Sequence, residues 1–209
     1  MGWDGNNWTE LKPVHTPPAR CCSAMAYDET SGKILLYGGW DNQTNTFMND
    51  LWTWDGSDWS KVDCCSMPLM SGHKMVSYSP QILSTFTSSM GTQIWNGSNW
   101  QQLDVLSPPD RPDSALAYES NQNLVVLFGG KREGTLLNDT WVFDGANWFE
   151  LKFTNSPSPR HAHVMFYDEQ RKSIVLFGGV DENGYLNDTW EIYLPSNFQN
   201  FSVTQTIQP

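Results

Sequence analysis

The sequence predicts an all-β chain in which four repeated units stack radially as a β-propeller. Long stretches recur along the 209 residues, and short glycine-bounded strands alternate with tight turns. The chain is rich in tryptophan, with eleven, and in glycine, with sixteen. No amphipathic helical period is evident, so a helical solenoid is disfavoured.

The repeat is clearest in three stretches that keep the same internal spacing. An arginine precedes a tyrosine by seven residues, and the tyrosine precedes a Gly-Gly pair by eleven. These stretches are PPARCCSAMAYDETSGKILLYGG from Pro17, PPDRPDSALAYESNQNLVVLFGG from Pro108 and SPSPRHAHVMFYDEQRKSIVLFGG from Ser156. Each continues to an Asn-Asp pair followed by a tryptophan, which makes the repeat long enough for a four-stranded unit.

A degenerate copy fills the gap between the first two clear copies. In IWNGSNWQQL, Trp95 and Trp100 take the places of Trp54 and Trp59, and Tyr78 stands where a repeat tyrosine is due. This copy lacks the Gly-Gly pair. Four units therefore account for the chain.

Each unit reads as a four-stranded antiparallel meander, represented in the first unit by AMAY, KILLYGG, DLWTW and WSKV. The second strand is a continuous apolar run, as expected for a strand buried on both faces. Asp-Gly before the fourth strand favours a tight hairpin. Because one meander cannot bury both of its faces, the units must stack against one another.

The chain ends predict how the ring closes. GWDGNNWTEL at the start reads as the end of a third strand, a turn and a fourth strand, whereas the last unit stops after its third strand. We therefore expect the N-terminal strand to complete the C-terminal blade, with Trp3 at the position of Ile192. The predicted domain covers residues 1–195, divided into a closing strand 1–11, blades 12–62, 63–103 (degenerate), 104–151 and 152–194, and a tail 196–209.

These motifs resemble the kelch family, over about residues 3 to 194. The Gly-Gly pair, the upstream tyrosine and arginine, and the closing Trp-Asp-Gly-x-x-Trp carry the resemblance. Kelch propellers usually have five to seven blades. With sequence for four, three arrangements are open: a four-bladed monomeric ring, which the matching ends favour, two chains in a larger ring, or a section of a longer protein.

The resemblance places the loop before each first strand at one mouth of the channel. Arg20, Arg111 and Arg160 would then line three quarters of a ring, with Met70 or Ser71 in the fourth place, and could attract an anionic ligand or acidic peptide. The alternative is structural: these arginines bond to backbone carbonyls or to carboxylates such as Asp28. Trp40, in the longest loop, is a candidate for docking a partner or for covering its own loop.

Imidazole, thiol and carboxyl groups are expected near the same level of the channel. They are Cys21, Cys22, His73, Asp113, His161 and His163. A metal site there lacks any two-residue-spaced cysteine pair, and adjacent residues on a strand face opposite ways, so packed side chains are favoured. We expect free cysteines, no metal and no cofactor.

Charge and motifs exclude several function classes. The net charge is −11 and no basic run exists, which disfavours nucleic-acid binding. No signal peptide or apolar span is evident, so we expect a cytoplasmic protein that does not bind membranes. Phosphate-loop, Gly-x-Ser-x-Gly and His-Glu-x-x-His motifs are absent.

The sequence thus favours a non-enzymatic scaffold that presents its mouth loops to a protein or small ligand. The alternative comes from kelch relatives that act on sugars: a carbohydrate-active enzyme or sugar mutarotase at the central channel. It would use His73, His161 or His163 with Asp113 as acid and base groups.

Overall fold

The structure is a computed structural model that describes residues 2–3, 5–63, 72–85 and 91–195. All regular elements in these ranges are β-strands. None of these residues forms a helix long and apolar enough to cross a membrane. The predicted all-β class is confirmed.

Four antiparallel sheets form the blades, in chain order. Blade 1 contains β3 Ala24–Asp28, β4 Lys33–Asp41, β5 Thr46–Trp54 and β6 Trp59–Val62; blade 2 contains β7 Lys74–Tyr78, β8 Gln81–Thr85, β9 Thr92–Trp95 and β10 Trp100–Gln102; blade 3 contains β11 Ala115–Glu119, β12 Leu124–Phe128, β15 Thr140–Phe143 and β16 Trp148–Leu151; and blade 4 contains β17 Val164–Asp168, β18 Ser173–Asp181 and β19 Gly184–Ile192. The described strands therefore form the predicted four-bladed propeller, with three strands in the last blade.

Two further strand pairs lie outside these sheets. The first joins β1 Gly2–Trp3 to β2 Trp8–Thr9, and the second joins β13 Lys131–Arg132 to β14 Thr135–Leu136. The second pair forms a hairpin that extends blade 3, at the place where blades 1 and 4 have longer strands.

Among the described residues, the N-terminal strand does not pair with the C-terminal blade as expected. Trp3 pairs with Trp8, in the same hairpin register as Trp54 with Trp59 in blade 1. The physical reason is that the Trp-Asp-Gly-x-x-Trp hairpin pairs its own two strands. In blade 4, β19 already pairs with β18 as a complete third strand, so the third-strand position predicted for Trp3 is occupied by β19 itself.

Blades pack through apolar clusters between successive sheets. We call the side of a blade that faces the next blade its front face, and the opposite side its back face. The front face of blade 1 carries Leu35 and Tyr37 into a cluster with Ile82 and Trp95 from the back face of blade 2. Equivalent clusters join blade 2 to blade 3 and blade 3 to blade 4. These side chains are the alternate residues that a strand projects to one side.

Backbone hydrogen bonds also link the blades, just before their first strands. Gly72 N donates to Cys22 O at 3.0 Å, Asp113 N to Gly72 O at 3.3 Å and Ala162 N to Asp113 O at 2.8 Å. All four residues have a positive φ, between 57° and 74°. One such residue per blade thus forms a chain of bonds around the inner side of the propeller.

The propeller is open between blades 4 and 1. Inner strands pack in the order β3 on β7, β7 on β11 and β11 on β17. In the described chain, β17 does not pack closely on β3. Met25 on β3 is 51% exposed and Phe166 on β17 is 54% exposed. Among the described residues, the four blades therefore form an arc with two free faces.

Candidate functional site

The side chains of the three repeat arginines are buried and make the same set of bonds in their own blades. Each Nε donates to the carbonyl two residues earlier, at Pro18, Pro109 or Ser158. Each guanidinium pairs with an aspartate on the third-strand side of the same blade. The pairs are Arg20 with Asp50 at 2.6 and 2.9 Å, Arg111 with Asp139 at 2.5 Å, and Arg160 with Asp188 at 2.6 and 2.7 Å.

A tryptophan completes each pair. The indole Nε1 of Trp52, Trp141 or Trp190 donates to the aspartate two residues before it, at 2.6, 2.7 and 2.7 Å. We call each set an Arg–Asp–Trp triad. The hydrogen bond from Arg160 lowers the pKa of Asp188 to about 2, against the opposing effect of burial. The recurring Asn-Asp-x-Trp motif is thereby explained: its aspartate ties the loop before the first strand to the third strand.

The triads give the arginines a structural role. Their carboxylate partners are Asp50, Asp139 and Asp188 rather than Asp28, which accepts bonds from Thr30 N and Ser31 Oγ in its own turn. The fourth place predicted for Met70 or Ser71 lies outside the described residues. A role of these arginines in ligand binding stays a prediction.

Two of the predicted histidines lie between blades. His73 contacts the ring of Tyr37 edge-on at 5.3 Å, and His163 contacts Phe128 in the same way at 5.4 Å. Burial lowers the pKa of both imidazoles to about 4. Neutral, packed imidazoles suit a wall between blades better than a reactive site.

His161 and Asp113 are the predicted channel residues that the structure brings together in partly exposed positions. Nδ1 of His161 lies 3.8 Å from Oδ2 of Asp113. Within the described part of the chain, no group of three or more His, Cys, Asp or Glu side chains could hold a metal ion. Cys21 and Cys22 are exposed thiols with their Sγ atoms 3.4 Å apart, and Cys64 and Cys65 lie outside the described residues.

Trp40 lies at the base of the β4–β5 hairpin tip. Its backbone N and O bond to Cys21 at 2.8 and 3.0 Å, and its ring packs on Phe47 with centroids 4.5 Å apart. Trp40 is therefore partly covered by its own hairpin, while Phe47 remains exposed.

Sequence reasoning missed two exposed aromatic residues on the hairpins that follow the Gly-Gly pairs, Phe47 and Tyr185. Phe47 pairs with Trp40 in blade 1, and Tyr185 pairs with Val180 in blade 4, where it is 94% exposed. Both stand two residues before the Asn-Asp pair, as does Leu136 in blade 3. That recurring apolar position was the signal that could have identified them.

The second glycine of the Gly-Gly pair sets the direction of each hairpin. Gly39 and Gly179 have φ of +114° and +100°, and the strand register shifts there. A Cβ on Gly179 would lie 2.8 Å from the carbonyl oxygen of His161. Glycine is required because the loop before the first strand passes directly against the hairpin.

A cleft of about 540 Å³ separates the hairpin of blade 3 from that of blade 4. Lys131 lines one side, Asp181 and Glu182 line the other, and Pro159 and His161 also border it. Both signs of charge therefore meet around one opening. We define the mouth surface as Trp40, Phe47, Lys131, His161 and Tyr185.

Comparison with known proteins adds one match. Residues 91–208 match the family model of the KLHDC2/KLHL20/DRC7 Kelch-repeats domain, which is more than half of the chain. No curated protein matches the sequence.

Proposed function

The chain belongs to the Kelch-repeat family, and on that premise we propose that it is a non-enzymatic scaffold whose mouth surface binds a protein partner. Kelch propellers are typically protein-interaction scaffolds. The finer proposal concerns where binding occurs: at the tips of the hairpins that follow the Gly-Gly pairs, rather than at the buried arginines.

The observation that carries the proposal is the exposure of aromatic rings on these tips. Phe47 and Tyr185 occupy the same repeat position, and both project into solvent from hairpins braced by a Gly-Gly bulge. Aromatic side chains dominate protein interfaces because they bury much area at little conformational cost. An aromatic ring on a rigid hairpin suits recognition better than one on a mobile loop.

The cleft between the hairpins of blades 3 and 4 supports a polypeptide as the partner. A segment crossing it would meet the ammonium of Lys131 and the carboxylates of Asp181 and Glu182 within one opening. Polypeptides carry the backbone donors and acceptors, and the charges of both signs, that such a lining can pair. The net charge of −11 favours approach of a neutral or basic partner over an acidic one.

A matched pair of tyrosine variants tests this proposal. Tyr185 lies on the mouth surface, whereas Tyr193 is 60% exposed just beyond β19, at the opposite end of blade 4. Cross-linking in a lysate of the source organism should capture a protein with the wild type and with Tyr193→Ala, but not with Tyr185→Ala. Equal capture by all three would contradict the proposal.

One observation keeps the sugar-active alternative testable, namely the approach of His161 to Asp113 at 3.8 Å. If the channel catalyses anomeric exchange, NMR of sialic acid or common hexoses should show accelerated exchange that is lost in His161→Ala. Exchange at the uncatalysed rate would leave the scaffold function as the better account.

A further inference from the structure

The two ends of the blade arc expose faces that are built like the buried ones. Phe177, on the front face of blade 4, is 48% exposed. Tyr37 and Phe128 occupy its position in blades 1 and 3, next to the Gly-Gly pair, and are 1% and 0% exposed. Phe177 is thus an interface residue by its repeat position, with no blade against it among the described residues.

The first strands show the same relationship. Phe166 takes the place of Ala26 and Ala117, which pack in the clusters between blades. On the other free face, Tyr27 takes the place of Tyr118 and Tyr167, which pack against the preceding blade. Large apolar side chains exposed together on one surface mark an interaction site.

The two free faces are also complementary in shape. The back face of blade 1 contains a groove of about 400 Å³, between the segment that includes Leu11 and the side chains of Met25, Ile34, Trp54 and Trp59. The front face of blade 4 presents Phe166 and Phe177, and at the Phe166 position blades 1 and 3 carry only alanine. The larger rings of one face match the space on the other.

Backbone groups at the two ends are complementary as well. The chain of hydrogen bonds that runs from Cys22 through Gly72 and Asp113 to Ala162 stops at both ends. Among the described residues, Cys22 N has no backbone acceptor and Ala162 O has no backbone donor. A blade that follows blade 4 would bring a Cys22-like N–H to the carbonyl of Ala162.

Charged side chains on the two free faces affect how strongly these faces would bind each other. Glu191 takes the position of Val142 on the front face of blade 4 and is exposed there. Lys61 shares the back face of blade 1 with Trp52, its partner in the β5–β6 pair. A carboxylate within an apolar face weakens packing, and a lysine on the opposing face partly compensates.

We propose that these faces bind a second copy of this chain head to tail, with the front face of blade 4 packed on the back face of blade 1. This contact would continue the pattern inside the chain, where the front face of each blade packs on the back face of the next blade. Each copy carries one of each surface. Two copies can therefore close reciprocally into an eight-bladed ring, which is a heterologous contact that closes after two subunits.

Sedimentation equilibrium of the 209-residue chain provides the test. The proposal predicts a mass of twice 23.8 kDa at about 100 μM, dissociating on dilution. Glu191→Val should tighten association, since it restores the apolar residue of blade 3, and the dimer dissociation constant should fall about tenfold. A mass of 23.8 kDa at every concentration would refute the proposal, including the case in which one chain closes on itself.

Two single variants test the head-to-tail geometry. Met25→Asp disables only the back face of blade 1, and Phe166→Asp disables only the front face of blade 4. Each alone should lose the closed dimer and raise the dissociation constant at least about tenfold. An equimolar mixture should recover a weaker dimer, because each variant keeps the face that the other lacks.

Matched controls separate this result from general effects of a new carboxylate. Leu106→Asp introduces the same charge at an exposed apolar side chain between blades 2 and 3, away from both end faces, and it should associate like the wild type. Circular dichroism should confirm that all variants remain folded. Failure of the mixture to associate, or dimerisation of Phe166→Asp alone, would overturn the head-to-tail arrangement.

Discussion

Arg160 and Asp188 lie 28 residues apart in the sequence and form a bidentate ion pair, with Arg160 Nη1 and Nη2 at 2.6 and 2.7 Å from the two carboxylate oxygens. The same guanidinium donates to the carbonyl of Gly178 at 3.0 Å. One side chain therefore joins the loop before the first strand, the Gly-Gly bulge of the second strand and the third strand of blade 4. Blade 1 repeats this arrangement with Arg20, Gly38 and Asp50.

Removing this arginine should destabilise the fold. Arg160→Ala leaves Asp188 with Trp190 alone and removes three anchors from one loop, so we expect the free energy of unfolding to fall by about 3 kcal/mol. Urea denaturation would measure it. Arg171→Ala is the control, since Arg171 is largely exposed and pairs with Asp168 within one turn, and it should cost less than about 0.5 kcal/mol. Equal losses would show that the triad has no special role.

Acid should weaken the contacts between blades through His73 and His163. Burial lowers the pKa of both from 6.5 to about 4, so the unfolded chain binds their protons more tightly than the folded chain does. The free energy of unfolding that the two neutral imidazoles contribute is therefore complete above pH 6.5 and is lost as the pH falls towards 4. Within that window each should add a slope of about 1.4 kcal/mol per pH unit to the free energy of unfolding.

Urea titrations between pH 7.5 and 4.5 would measure this slope. His163→Gln should remove the part of the slope that comes from one imidazole. The double variant His73→Gln/His163→Gln should remove both parts. Asp188, whose pKa is lowered to about 2, contributes a constant stabilisation above pH 3.8 and loses it only at lower pH, so it does not affect the slope between pH 7.5 and 4.5. Wild-type slopes in the double variant would disprove the assignment.

The close approach at the Gly-Gly pair predicts different costs for two glycines of blade 4. Gly179 and Gly184 both have a positive φ, of +100° and +127°, so alanine is strained at either position. A Cβ on Gly179 would also meet His161 O at 2.8 Å and His163 Cβ at 2.9 Å, whereas nothing lies within 4 Å of one on Gly184. Gly179→Ala should lower the free energy of unfolding by about 3 kcal/mol and Gly184→Ala by about 1 kcal/mol. Thermal melts of the two would decide, and similar losses would contradict a role for the close approach.

Strand pairing within blades was predictable because each unit carries its own local signals. The tight hairpin between Trp54 and Trp59 follows from Asp-Gly, and the structure has that register. The degenerate unit shows the limit. Tyr78 was expected at the repeat tyrosine, but Ser77 pairs with Ile82 as Tyr27 pairs with Ile34, so Ser77 takes that position. Tyr78 instead contacts Tyr118 and Phe143 of blade 3. A slip of one residue reverses the face of a strand, and no glycine pair marked the register here.

The Arg–Asp–Trp triads were only half predictable. A structural role for the arginines was one of two hypotheses, but the partner was expected near Asp28. The useful signal lay within the chain: Asn-Asp before a tryptophan occurs in the three units that have the arginine, while the degenerate unit has Gly91 in place of Asp50 and lacks the motif. The opening between blades 4 and 1 depends on the angle between successive blades. The spacing of motifs within a repeat does not specify that angle.

The division of roles between hairpin tips and triads is tested most directly by calorimetric titration of the captured partner into two variants. We predict that Tyr185→Ala raises the dissociation constant about tenfold or more while its melting temperature stays that of the wild type. Arg160→Gln should show a lower melting temperature and, at a temperature where it is folded, an unchanged dissociation constant. The reverse pattern, with weakened binding in Arg160→Gln and wild-type binding in Tyr185→Ala, would contradict the account and assign recognition to the arginines.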